Sequence, residues 1–169
     1  MCEECGYDFG EVPARLADRC VAFSADMSGV LETTSHDVLL RRPAPETWSP
    51  LEYAAHVSEA VPWYVGRIRK VLRESGAQLT AFDWDLAASV GKYRERGVEA
   101  VTGDLRRACA TLAEVVRSVT PDDLARTGTG SDGTPRTVEV LLARAGHELA
   151  HHELDIRRGL AARPASPPP

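Results

Sequence analysis

Four long stretches in which an apolar residue returns every third or fourth position constrain this chain more than any other feature of its sequence. Val12, Leu16, Ala17, Cys20, Phe23, Met27 and Leu31 form the first stripe, the pattern of one buried face of a helix. The second stretch opens at Ser49-Pro50-Leu51-Glu52. There Ser49 can cap, Pro50 suits the first helical position and Glu52 completes a capping box. It is predicted to run to about Ser75 and stop at Gly76, with a kink or short break at Pro62. A third stripe, Val101, Leu105, Ala108, Leu112, Val115, Val116 and Val119, marks a helix from about Val98 to Val119. Thr137 caps a fourth that ends at Gly159.

Between these stretches, TPDDL reads as a short helical turn and TGTGSDGTP as a loop. No strand-like alternation and no internal repeat stand out. The expected architecture is all-α, a four-helix bundle over residues 12–160. A Cys-x-x-Cys segment precedes it at residues 1–11, and a disordered Pro-rich tail follows at 161–169.

A chain of 169 residues fits one domain with a full core. The net charge of −5 argues against nucleic-acid binding, which needs a basic surface. With no apolar run of membrane-spanning length and no signal-like start, a cytoplasmic protein is expected. There the four cysteines, Cys2, Cys5, Cys20 and Cys109, read as thiols or ligands rather than disulfides. CEECG at residues 2–6 looks like half of a zinc knuckle, but no second half stands at ribbon spacing. It is taken as an exposed thiol pair, with completion by Cys20 or by a second chain left open.

The stretch HELAHH, residues 147–152, admits two readings. As H-E-x-x-H it is the zincin motif, with His147 and His151 on zinc and Glu148 as base. Zincins need a further ligand downstream, and where a metzincin has glycine and histidine this chain has Leu154 and Arg157. Shifted by one residue, Glu148 and His152 pair instead. Their helix face continues as Leu141, Ala145 and Ile156, whereas the face of His147 and His151 carries Arg144 and Arg158. The core-facing seam should therefore hold Glu148 and His152. Burying a carboxylate and an imidazole there unpaired would cost roughly 2–7 kcal/mol for polar groups, and a metal removes that cost. On the second helix, His56 lies on a seam with Tyr53, Ala60 and Trp63 and points inward. His56, Glu148 and His152 then supply two imidazoles and a carboxylate, the number of protein ligands usual for catalytic zinc. The plain alternative is a satisfied core histidine and a charged helix face.

These residues resemble a known family. WSPLEYAAHV, residues 48–57, resembles the second-helix signature of the DinB-like bundle proteins, and HELAHHELDI, residues 147–156, their last-helix signature. AFDWDLAASVGKY also resembles a segment of actinobacterial DinB-like proteins. In the mycothiol-dependent maleylpyruvate isomerase branch the first of the last-helix ligands is a glutamate, which matches Glu148, while His152 and His56 match the histidine ligands. The resemblance implies an up-down-down-up bundle holding a divalent metal, zinc or nickel. It also implies thiol-dependent S-transfer or isomerisation with mycothiol, bacillithiol or glutathione as cosubstrate. The isomerase itself is a longer, two-domain protein, so chemistry of that type is expected rather than action on maleylpyruvate. The Cys-x-x-Cys is not part of the family's metal site.

The expected function is thus a metal-dependent thiol S-transferase or isomerase-like enzyme, using mycothiol at a metal held by His56, Glu148 and His152. Its expected partners are the small-molecule thiol and an electrophile, with a homodimer left open and neither nucleic acid nor a membrane involved. Its rivals are a non-catalytic metal-binding module and a metal-water hydrolase with His151 as base. Asp155 is a candidate to orient His151 or to pair with arginines. Trp48, Tyr53 and Trp84 are candidates to line a pocket, and Arg157 and Arg158 to hold a carboxylate.

Overall fold

The computed structural model describes residues 1–11, 13–81 and 83–162, with the backbone alone for Trp84, Asp85 and Ser89. The stripe position Val12, the side chain of Trp84 and the tail from residue 163 lie outside the described residues. Four long helices carry the fold: α1 (Pro13–Thr33), α3 (Pro50–Arg73), α5 (Val98–Ser118) and α6 (Val138–Ala161). Short helices α2 (His36–Leu39) and α4 (Trp84–Val90) lie in the connections.

The helix ends follow the local chemistry. Ser49 Oγ accepts from the Glu52 N–H at 3.3 Å, and Glu52 Oε2 accepts from the Ser49 N–H at 2.9 Å. Arg42 Nε donates to the same carboxylate at 2.8 Å and fastens the preceding loop to the start of α3. Thr137 Oγ1 accepts from the Val140 N–H at the start of α6. No break occurs at Pro62, across which α3 runs on. Pro62 itself sits on the exposed face of the helix.

α1 packs on α5 and α6, and α3 packs on the same two, so α1 and α3 lie across one diagonal and α5 and α6 across the other. Contacts between ends give the directions. α1 runs with α6, since Leu16 lies against Gly146 and Asp26 pairs with Arg157. α3 opposes α6, since Pro50 meets Gly159 while His56 meets Glu148. α5 opposes α1, with Arg106 on Glu32 and Cys109 beside Cys20. The bundle is therefore up-down-down-up. The predicted stripes fill its interior: Leu16, Met27, Leu31, Leu105, Leu112, Leu141 and Ile156 are all buried.

The expectation of a loop at TGTGSDGTP needs correction. Thr127–Gly130 (β2) and Pro135–Thr137 (β3) pair antiparallel, and Ala77–Leu79 (β1) pairs parallel to β2. The strands are only three or four residues long: β1 buries Ala77 and Leu79 about an exposed Gln78, too short a run to stand out as alternation, and β2 and β3 are Thr-, Gly- and Pro-rich. Gly128 is needed because a Cβ there would lie 2.8 Å from the Ala77 carbonyl oxygen and from Val71 Cγ2. Among the described residues, no helix is long and apolar enough to cross a membrane.

Candidate metal centre

The Glu148–His152 face of α6 turns toward α3, as its seam of Leu141, Ala145 and Ile156 dictates, and all three of those residues are buried. His56, on the facing side of α3, is 5% exposed. The three side chains converge, each offering a donor atom within 4.8 Å of the others. Glu148 Oε2 is 3.4 Å from His56 Nε2 and 3.3 Å from His152 Nε2. Charge-assisted N–H···O contacts close to roughly 2.7–2.9 Å when nothing lies between the groups. Zinc bond lengths put neighbouring nitrogen and oxygen donors of a tetrahedral site roughly 3.3 Å apart. The spacing accommodates either direct pairing or a shared cation, and two imidazoles with a carboxylate are a donor set that suits zinc.

The groups around the triad fix it. His152 Nδ1 lies 2.9 Å from Asp155 Oδ2, so Asp155 accepts the Nδ1 proton and leaves Nε2 to face Glu148. Trp48 packs against His56 with ring centroids 5.3 Å apart, and Tyr53 stacks on His152 at 5.4 Å. Tyr93 packs edge-on against both Trp48 and His56, with ring centroids 5.8 and 6.3 Å away, and its hydroxyl donates to Glu59. Burial works against the charged form of Glu148, but hydrogen bonds from His152 and His56 outweigh it and hold the carboxyl at about 2. Burial likewise opposes the charged form of His152, yet Asp155 and Glu148 push that imidazole up to about 9. Without a metal the cluster is an ion pair, and a bound cation would take the place of the His152 proton.

A cavity of about 520 Å³ opens beside Glu148, walled by Phe9, Tyr64, Val140, Ala143 and His147, with Arg144 and Glu139 as its further charged groups. Mostly apolar walls with a few charged groups are usual for a small-molecule site. Arg144 was legible only as a water-seeking residue on the His147 face, because its neighbour across the cavity, Tyr64, comes from another helix.

Several sequence expectations land elsewhere. Asp155 orients His152 at 2.9 Å, with His151 more distant at 3.8 Å. His151 places Nδ1 3.9 Å from Cys2 Sγ and Nε2 3.5 Å from Glu4, so it is turned away from the triad. Arg157 pairs with Glu153 and Asp26, and Arg158 with Glu4. His36 is exposed at the start of α2. Cys2 and Cys5 are not an exposed pair: both are half-buried against His147 and His151. Cys20 lies in the core and does not complete them. Sequence spacing could not reveal this meeting, because the two halves stand at opposite ends of the chain.

Residues 21–156 match the family model of the DinB superfamily. The chain belongs to the DinB superfamily. No curated protein matches it. Among solved structures it is similar to YfiT from Bacillus subtilis, described as "a probable metal-dependent hydrolase with an unusual four-helix bundle topology". The identity is 14%, the TM-score 0.73, and 86% of each chain is covered. At that identity the likeness establishes the fold, the same bundle that the end contacts trace here.

Proposed function

We propose that this DinB-superfamily chain is a metal-dependent enzyme that transfers a low-molecular-weight thiol, mycothiol, onto electrophiles or isomerises them through a thiol adduct. The divalent metal, zinc or nickel, would be held by His56, Glu148 and His152. The observation that carries the reading is the convergence of these three donors from two helices, with His152 Nδ1 already committed to Asp155. A divalent ion there supplies Lewis acidity, which lowers the pKa of a thiol or water at a remaining position.

The chain's own residues do the rest. His56 and His152 are neutral donors and Glu148 brings one negative charge, so a divalent ion keeps one positive charge for an anionic ligand such as a thiolate. Asp155 holds the His152 tautomer. Trp48 and Tyr53 keep water from the imidazoles, and Arg144 offers a cation in the cavity to a carboxylate on the electrophilic substrate. In transfer, the thiol proton leaves to solvent and sulfur forms the C–S bond. The electron pair displaced from the electrophilic carbon departs with its leaving group.

Hydrolysis is the second reading, supported by the description of YfiT. One experiment separates them. Metal-loaded protein is given mycothiol and monochlorobimane, and in parallel ester or amide substrates without thiol. Acceleration of bimane conjugation over the free thiol, lost in His56→Ala along with its metal, supports transfer. Thiol-independent turnover supports hydrolysis, and neither activity in a metal-loaded protein means a binding module.

A further inference from the structure

The other register of HELAHH has a use of its own. His147 and His151 share the α6 face next to the one that carries Glu148 and His152, and the N-terminal segment is laid across it. Tyr7 is buried in a notch made by Gly146, where a Cβ would lie 2.2 Å from the tyrosine hydroxyl oxygen. Phe9 stacks on His147 with ring centroids 5.1 Å apart. Glu4 pairs with Arg158 at 2.7 Å. Between these anchors the chain turns back on itself. The Gly6 N–H donates to the Cys2 carbonyl at 2.9 Å, with Gly6 at φ +71°, a conformation that disfavours any side chain. Cys2 and Cys5 thereby face the two imidazoles, and the four donor atoms lie within 4.8 Å of one another.

We propose that Cys2, Cys5, His147 and His151 form a second metal site, a closed tetrahedral zinc site that fastens the N-terminal segment to α6. Two thiolates with two imidazoles are the donor set of structural zinc, and the spacings C-x-x-C and H-x-x-x-H are those of such sites. Cys2 Sγ lies 3.9 Å from His151 Nδ1, against roughly 3.6 Å between sulfur and nitrogen donors on tetrahedral zinc. The outer contacts are those a ligand histidine needs. His151 turns Nε2 toward Glu4 at 3.5 Å, with Asp155 beyond at 3.8 Å, and so presents Nδ1 to Cys2. His147 has a buried Nε2 with no hydrogen-bond partner among the described residues, an orphan that coordination would satisfy. The site is separate from the triad in its ligands and does not depend on the function proposed for it. Its consequence is local: it fixes Phe9 as a wall of the cavity beside Glu148.

Cobalt(II) substitution tests the proposal, since thiolate ligation gives near-ultraviolet charge-transfer bands that an imidazole–carboxylate site lacks. Apo-protein kept reduced and loaded with cobalt should show those bands. They should vanish in Cys2→Ser/Cys5→Ser, and again in His147→Ala/His151→Ala, while persisting in His56→Ala. Absence of the bands in the wild type overturns the site, as does their survival in folded His147→Ala/His151→Ala. The cysteine variant lies outside every helix and keeps the test open should the histidine variant not fold. The triad is scored separately by metal stoichiometry in His56→Ala, so either site can fail without the other.

Discussion

Replacing Asp155 by alanine removes the acceptor at 2.9 Å from His152 Nδ1. In the intact protein that contact holds the Nδ1 proton and turns Nε2 toward Glu148, where a metal would take the place of the Nε2 proton. Without it the ring can carry its proton on either nitrogen and rotate. Both partners are largely shielded, with side chains 16% and 15% exposed, so solvent screening does little to weaken the bond. A hydrogen bond to a charged group is worth about 1.5–3 kcal/mol. Loss of an outer-shell carboxylate costs roughly 10–100-fold in metal affinity, which at 1.4 kcal/mol per decade is about 1.4–2.8 kcal/mol. The two figures agree. Zinc affinity should be measured by competition with a chromophoric chelator in a Cys2→Ser/Cys5→Ser background, where only the triad is left to bind. Asp155→Ala should weaken binding by one to two decades, and Asp155→Asn, which keeps an acceptor oxygen, by less. Unchanged affinity in both would show that His152 needs no orienting partner, and the proposed role of Asp155 would be wrong.

Gly146→Ala should drive its methyl into Tyr7, costing about 1–3 kcal/mol as overpacking; a lower Tm together with faster alkylation of Cys2 and Cys5 would report release of the segment. Leu149, wholly buried on α6, should lose about 2–5 kcal/mol on truncation to alanine, read by urea unfolding. Burial opposes the charged form of Glu52, but Arg42 and the Ser49 cap outweigh it and hold the carboxyl below its ordinary value. Its contribution to stability is therefore complete above the unfolded pKa and fades as pH falls through the lower folded one. Between neutral pH and pH 3 the wild type should lose more stability than Glu52→Gln, and parallel losses would refute the linkage. Stripping metal with a chelator should lower Tm in a concentration-dependent way that added zinc reverses.

Much of this was legible because helices announce themselves locally. The 3.6-residue period, the Ser49 capping box and the Thr137 cap are all written within a turn or two of the residues they position. The inward register of α6 was legible for the same reason: Leu141, Ala145 and Ile156 flank Glu148 and His152 on one face. What stayed hidden depends on segments far apart in the chain. The pairing of β1 with β2 joins Ala77 to Gly128 through small residues that leave no apolar signature. The meeting of Cys2 with His151 is likewise nonlocal, and its one local trace was the half-knuckle CEECG. The small residue before His147 was a further clue, since Gly146 in a helix weakens it unless something packs closely there.

Successive residues on a helix are turned by about 100°, so the two registers of HELAHH cannot serve one centre. They present two faces, one toward α3 and one toward the N-terminal segment. Read as competing spellings of one motif, one register must be discarded; read as adjacent faces, both have partners. Charge separates what the two centres can do. Two thiolates cancel the charge of a divalent ion, leaving a centre with nothing to offer an anion and every position filled by protein. Two imidazoles and one carboxylate would leave a divalent ion one positive charge, while Arg144 and Glu139 offset one another in the cavity alongside. An anionic thiol would therefore be drawn to the triad and not to the cysteine cluster. Arg144→Gln should raise KM for an electrophile that carries a carboxylate while leaving metal content unchanged, and an unchanged KM would place that substrate on another face of the triad.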